Sequence, residues 1–262
     1  MGKILQELKQ QIILLFYAIS YFTRVPIPDS IVFDSKQFHK ANAYLPLIGI
    51  GVALIMGLVF YLSQLLFSHQ ISLLLMLISS LLLTGALHED GFADCCDGFG
   101  GGYNPEQRLK IMKDSQIGTY AAIGLIILFL LKFNLLLEIT AINYSSLFVA
   151  LLVAHSLSRY AALCIMQLLL YVRLDESSKV QSLATKLDGY YFLFASLCAA
   201  SSLLFIDFGN ALIILASCAL VGIIIAKKLI KNLQGYTGDC LGFVQQCIEL
   251  TILLLFSQLL TK

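Results

Sequence analysis

Residues 43–67, AYLPLIGIGVALIMGLVFYLSQLLF, run for 25 positions without a charged side chain. As one helix this stretch would rise by about 37 Å, enough to cross the roughly 30 Å hydrocarbon core of a bilayer with some tilt. Six more stretches read the same way between polar punctuation, at 71–87, 118–137, 145–171, 190–206, 210–226 and 241–260. The fold class that follows is all-α, a polytopic integral membrane bundle of about seven transmembrane helices, in one domain over residues 1–262. Composition agrees, with 59% hydrophobic residues, only 13% charged and a mean hydropathy of +0.86, against about 25% charged in a soluble domain. Four prolines and no low-complexity tract argue against disorder or a fibrous repeat.

Residues 12–22 are apolar but short, and they end at Thr23-Arg24-Val25-Pro26-Ile27-Pro28. With Lys3, Glu7 and Lys9 upstream, this segment reads as an amphipathic or partly inserted helix rather than a full crossing. It lacks the small-residue cleavage site of a removable signal peptide. Basic residues should mark the cytoplasmic loops, and they sort cleanly: Arg24, Lys36 and Lys40 precede the first run, and Arg108, Lys110 and Lys113 follow the second. Arg173, Lys179 and Lys186 follow the fourth, and Lys227, Lys228 and Lys231 the sixth. The intervening connections hold none. Seventeen Lys and Arg against sixteen Asp and Glu leave a net charge of +1, which gives no support to a nucleic-acid partner. The seven cysteines sit mostly within apolar runs and read as small hydrophobes, not as a disulfide framework. Adjacent Cys95 and Cys96 lack the spacing of a zinc or redox pair.

The densest polar feature follows the second run. His88-Glu89-Asp90-Gly91-Phe92-Ala93-Asp94-Cys95-Cys96-Asp97-Gly98 carries four acidic residues and no basic one, and glycines fill 100–102. Read as a loop, it suits a backbone that a bulky ligand approaches closely, because the glycines weaken any helix. Read as a helix, it sets Asp90, Asp94 and Asp97 within about 60° of arc. Three carboxylates so placed repel one another unless a cation sits among them, and a hard divalent ion with oxygen ligands, Mg2+, suits that role. A solvated acidic loop is the plain alternative. His88 falls about 160° from Asp90 and is expected to orient or cap rather than ligate. Asn104 and Pro105 then restart a helix as N-cap and first residue.

Two further polar clusters open the third and seventh runs, Lys113-Asp114-Ser115-Gln116-Ile117-Gly118-Thr119 and Gly235-Tyr236-Thr237-Gly238-Asp239-Cys240-Leu241-Gly242. In the last run Asp239, Gly242, Gln246 and Glu249 form a stripe about 80° wide, which must face protein or a cavity. The charge pattern puts the Asp90, Asp114 and Asp239 regions on one side of the membrane, the makings of an acidic, metal-binding chamber at its surface. Inside the fourth run, His155 and Arg159 share a helix face. Ionisable groups at such depth mark functional sites, and a packing ion pair with Glu138 or Glu249 is the alternative. The Arg159 guanidinium suits a phosphate or carboxylate, and Lys132 is expected to snorkel outward.

Six pieces in chain order, Phe22-Thr23-Arg24-Val25-Pro26, Leu45-Pro46-Leu47-Ile48-Gly49, His88-x-Asp90-Gly91-x-Ala93-Asp94-x-x-Asp97-Gly98, Asp114-Ser115-x-x-Gly118-Thr119, Ser158-Arg159 and Thr237-Gly238-Asp239-x-Leu241-Gly242, resemble the cobalamin synthase family over nearly the whole chain. The resemblance implies a multi-pass enzyme of the cell inner membrane whose active site faces the cytoplasm. It would join adenosylcobinamide-GDP to alpha-ribazole, or to its 5′-phosphate, and release GMP in a Mg2+-dependent late step of cobalamin biosynthesis. On this reading Asp90, Asp94 and Asp97 hold Mg2+, Asp114 and Asp239 complete the catalytic carboxylates, and Arg24, Lys113 and Arg159 contact phosphate. His88, Ser115 and Thr237 join the substrate-binding set. Gln116 stands where the family commonly has a basic residue, and Phe243 where alanine is usual. The oligomeric state stays open, a homo-oligomer included. Two rival readings are a secondary transporter, with His155 and Arg159 lining its path, and a lipid enzyme like the CDP-alcohol phosphotransferases, whose Asp-Gly-x-x-Ala-Arg element is absent here.

Overall fold

The computed structural model describes residues 2–172 and 184–259, and among these there are helices and no strand. Arg173, Lys179, Leu260 and Lys262 lie outside the described residues. Helix α1 (Gly2–Phe22) buries Leu14, Tyr17, Ala18 and Phe22 and exposes Leu5 and Leu8. It is amphipathic, as its sequence predicts, and is not among the helices long and apolar enough to cross a membrane. A 3-10 turn at Phe38–Tyr44 leads into α2 (Leu45–Ser63), with Pro46 in the first turn, where its missing N–H costs nothing. Then come α3 (His69–Thr84), α4 (Leu87–Gly101), α5 (Pro105–Ile111), α6 (Thr119–Ile142) and α7 (Tyr144–Leu168). The chain ends with α8 (Gly189–Ser201), a 3-10 turn at Ser202–Phe205, α9 (Phe208–Leu233) and α10 (Gly238–Leu259).

Five of these qualify as crossings by length and apolarity, or six if α3 and α4, bent by 88°, form one broken span. The expected seven are therefore corrected in two places. Residues 71–87 are not an uninterrupted crossing: α3 has 16 residues, about 24 Å, and stops at Gly85 and Ala86, both left-handed with φ of 65° and 56°. Residues 190–206 are the 13-residue α8 and its 3-10 extension, which is shorter than the other crossings.

Of the two readings of 88–102, the structure takes the helix, which runs through Gly101. Its glycines admit other parts of the protein. A Cβ on Gly98 would come within 2.7 Å of Met112, and one on Gly100 within 2.4 Å of the Tyr120 ring. Local propensity argued for a loop, and packing against α10 and α6 overrides it. The N-cap expectation holds: the Asn104 side chain accepts from the Gln107 N–H at 2.9 Å, starting α5.

Two faces follow from the contacts at helix ends. At one, His69 of α3 meets Thr140 of α6 at 2.7 Å and stacks near Tyr144 of α7. At the other lie basic residues of the connections. Arg108 donates to the Asn232 carbonyl at 3.3 Å, Lys228 lies 5.3 Å from the Phe99 ring, and Lys40 lies 5.3 Å from the Tyr191 ring. The starts of α2, α6 and α10 and the ends of α7 and α9 thus share one face, as the charge pattern predicts.

In lipid, helices associate through close packing and internal polar contacts rather than through expulsion of water. Here α2 meets α7 where a Cβ on Gly49 would strike the His155 carbonyl at 2.1 Å. Likewise α4 meets α10 where a Cβ on Gly91 would reach the Asp239 backbone at 2.8 Å, and one on Gly242 the His88 carbonyl at 2.7 Å. Gly91→Ala is therefore expected to cost about 1–3 kcal/mol by overpacking, read as a lower unfolding midpoint in detergent. Gly51→Ala and Gly222→Ala, whose Cβ atoms would meet nothing within 4 Å, should instead stabilise slightly through helix propensity.

Candidate active site

The corner between α3 and α4 is the natural place to begin, because broken helices inside a bundle free backbone groups and point helix ends into it. The Arg24 N–H donates to the Leu83 carbonyl at 2.7 Å and so closes the end of α3. Its guanidinium lies against Gly85, where a Cβ would come within 2.2 Å of Nε. Glycine's tolerance of positive φ and its missing side chain are both used at this position.

Five aspartates were expected to share one chamber, and the structure sorts them into two neighbourhoods. The contact of Gly91 with the Asp239 backbone sets Asp239 at the seam between α4 and α10, beside the turn of α4 that carries Asp90 and Asp94. Asp90 is exposed there, and Asp94 and Asp239 are half-buried. Asp97 turns to α6 instead: its carboxylate accepts from the Gly118 N–H at 2.6 Å and the Ala121 N–H at 2.9 Å. A carboxylate at that helix N-terminus is stabilised by the unpaired N–H groups and the dipole. Asp97 and Asp114 line a surface hollow with Gln116 and Thr119, and Asp114 accepts from the Gln116 N–H at 3.0 Å. Lys113 and Ser115 are exposed beside it.

Among the described residues no group of three His, Cys, Asp or Glu side chains could hold a metal ion by itself. Mg2+ seldom needs such a cage, because it keeps several waters and takes one or two carboxylates together with substrate phosphates. The Asp90, Asp94 and Asp239 carboxylates are hard oxygen donors of the kind Mg2+ takes singly or in pairs.

Behind the seam lies a buried polar network. Lys132 of α6 pairs with Glu249 of α10 at 2.5 Å, and His155 Nδ1 lies 3.6 Å from the same carboxylate. Arg159 Nη1 reaches His155 Nδ1 and the His155 carbonyl, each at 3.1 Å. Gln245 donates to Glu249 at 2.6 Å, and Gln246 donates to Glu89 at 2.9 Å. Of the two partners considered for the α7 pair, the structure selects Glu249. Lys132 does not snorkel: it is 3% exposed, because its counter-charge faces it across the bundle. Gln245 was not singled out in the sequence, although its place beside the polar stripe of α10 is the signal that could have found it.

Next to this network a cleft opens among α1, α2, α4, α7 and α10. Phe22, Leu45, Met166, Tyr171 and Leu241 form apolar walls, and His88, Arg159 and Tyr236 bring polar atoms to it. A short parallel bridge, with the Tyr236 N–H donating to the Leu170 carbonyl at 2.8 Å and the Val172 N–H to the Tyr236 carbonyl at 3.0 Å, fixes Tyr236 in place. Tyr236 is 1% exposed and Arg159 2%, yet the Tyr236 hydroxyl and Arg159 Nε have no hydrogen-bond partner among the described residues. Burial pushes the Tyr236 phenol up to about 12, so the hydroxyl keeps its proton at neutral pH. Thr237 is fully buried and starts α10, its hydroxyl accepting from the Cys240 N–H at 3.4 Å. Phe243 stacks on Phe92 at 5.4 Å, a packing role as its sequence suggested.

A family model described as cobalamin-5-phosphate synthase matches residues 14–257. A protein of Shewanella amazonensis named adenosylcobinamide-GDP ribazoletransferase is 39% identical, over 95% of this chain and 98% of its own. Proteins of the same name from Vibrio cholerae, 41% identical over 95% of this chain and 94% of theirs, and from Pseudoalteromonas atlantica, 38% identical over 97% and 94%, are likewise similar. No solved structure matches.

Proposed function

Since the chain belongs to the cobalamin-5-phosphate synthase family, a family of membrane-embedded transferases, we propose that it joins adenosylcobinamide-GDP to alpha-ribazole or its 5′-phosphate, releases GMP and requires Mg2+. A ribose hydroxyl of the acceptor attacks the phosphorus on the cobinamide side of the diphosphate. The bond from that phosphorus to the bridging oxygen breaks, and GMP departs with the oxygen. Mg2+, when bound, would neutralise nonbridging oxygens of the diphosphate.

The chain's own residues supply the rest. Asp90, Asp94 and Asp239 offer carboxylates from two helices that Gly91 and Gly242 hold in contact. One of them, not engaged by metal, accepts the proton of the attacking hydroxyl. Arg24, docked on the α3 end, and Arg159, beside the cleft, offer charge for phosphate oxygens. Positioning and charge neutralisation are most of what a phosphoryl-type transfer asks of a protein. The observation that carries this reading is the meeting of an acidic seam and a cationic, cleft-bearing corner at one broken span. Its placement at the cytoplasmic side of the inner membrane rests on the basic residues of the same face.

Detergent-solubilised protein given adenosylcobinamide-GDP, alpha-ribazole and Mg2+ should release GMP only when all three are present. A chelator should stop the reaction, and added Mg2+ should restore it. GMP release without acceptor, or turnover in the presence of the chelator, would overturn the reading. CDP-diacylglycerol with an alcohol should give no product, and vesicles should show no corrinoid flux.

A further inference from the structure

The cleft among α1, α2, α4, α7 and α10 has a chemical character that the transfer reaction alone does not explain. Its walls are aliphatic and aromatic, no Asp or Glu among the described residues lines it, and the Tyr236 hydroxyl and Arg159 Nε beside it lack hydrogen-bond partners among the described residues. Buried donors left unpaired cost about 1–3 kcal/mol each, so an occupant that offers acceptors recovers that loss. A corrin macrocycle with its side chains is too broad for this cleft, whose walls come from five helices.

Resting on the function proposed above, we infer that this cleft holds the base of the acceptor nucleoside: a flat, largely apolar aromatic bicycle with one ring-nitrogen acceptor and no donor. Tyr236 donates to the base or its ribose, and the aromatic walls pack against the ring faces. Gly238, Leu241 and Gly242 of α10 also line the cleft, and Asp239 lies among them in sequence. A base seated here therefore places its ribose beside the first turn of α10, toward the acidic seam where the attack takes place.

Two variants test this in the full-length protein in detergent, each compared with the parent by thermal unfolding. Tyr236→Phe removes the unpartnered hydroxyl and nothing else. Ala162→Leu fills the cleft from α7, where Ala162 lines it. Titration calorimetry with alpha-ribazole should show weaker binding, by about five- to tenfold for Tyr236→Phe and more for Ala162→Leu. The KM for alpha-ribazole should rise in step, and the KM for adenosylcobinamide-GDP should stay where it was. Unchanged affinity for alpha-ribazole in folded Tyr236→Phe, absence of binding by the parent protein, or a raised KM for the corrinoid in place of the acceptor would each overturn the assignment. If the parent binds alpha-ribazole through the cleft but releases no GMP, the proposed reaction fails and the cleft assignment stands. The reverse pattern, turnover with cleft variants indistinguishable from the parent, sinks the cleft alone.

Discussion

Glu249→Ala is expected to cost about 3–5 kcal/mol of folding stability, the range for breaking a buried ion pair from one side. The carboxylate faces Lys132 at 2.5 Å and His155 at 3.6 Å and accepts from Gln245 at 2.6 Å, and it is itself 4% exposed. Removing it leaves the Lys132 ammonium buried without its counter-charge and takes away an acceptor near Arg159. Water cannot make up the loss at this depth, so the cost falls on the fold. The double variant Lys132→Met with Glu249→Leu should recover most of the stability, because apolar groups of similar volume often replace a buried pair at little cost. Unfolding in graded denaturing detergent reads both. A Glu249→Ala protein as stable as its parent would show that the network does not hold the bundle together. A double variant no better than the single would show that packing, not charge, is what was lost.

What could be read from the sequence depended on whether the deciding contact was local. The run at 43–67 announced a crossing, and the structure delivers one, because twenty-odd apolar residues in a row leave a helix in lipid as the only arrangement that satisfies the backbone. The Asn104-Pro105 start was legible for the same reason: its hydrogen bond spans three residues. The broken span was not. Gly85 and Ala86 look like ordinary small residues in an apolar stretch, and only their left-handed geometry and the Arg24 side chain resting on Gly85 make the corner. The helical state of 88–101 was hidden by its glycines, whose reasons lie outside the helix: Gly91 meets α10, more than 130 residues later in the chain, while Gly98 meets Met112 and Gly100 the Tyr120 ring. Lys132 misled likewise, since its partner Glu249 lies on a distant helix. For the site, the residue types and their shared face were legible, but the division of labour was not. Asp97 and Asp94 are one turn apart, and nothing in their spacing says that one caps α6.

That division yields the sharpest contrast between two similar substitutions. Asp94→Asn should fold and insert as the parent does, because its side chain keeps its shape at a half-buried position on an intact α4. It should lose Mg2+-dependent GMP release by at least about a hundredfold, the scale on which removing one charge-stabilising group from an active site acts. Asp97→Asn should behave differently. The amide keeps one acceptor oxygen where the carboxylate satisfied two N–H groups, those of Gly118 and Ala121. The α6 start is then weakened by about 1 kcal/mol, and the turn at 114–118 loses its tie to α4. Stability should fall in this variant while the affinity for the metal, read by Mn2+ paramagnetic resonance in the presence of the corrinoid nucleotide, stays near the parent's. In Asp94→Asn the same measurement should show the affinity reduced with the unfolding midpoint unchanged. Should Asp97→Asn lose the metal and keep its stability while Asp94→Asn keeps both, the ion sits at the α6 end of the helix, and the seam between α4 and α10 is packing alone.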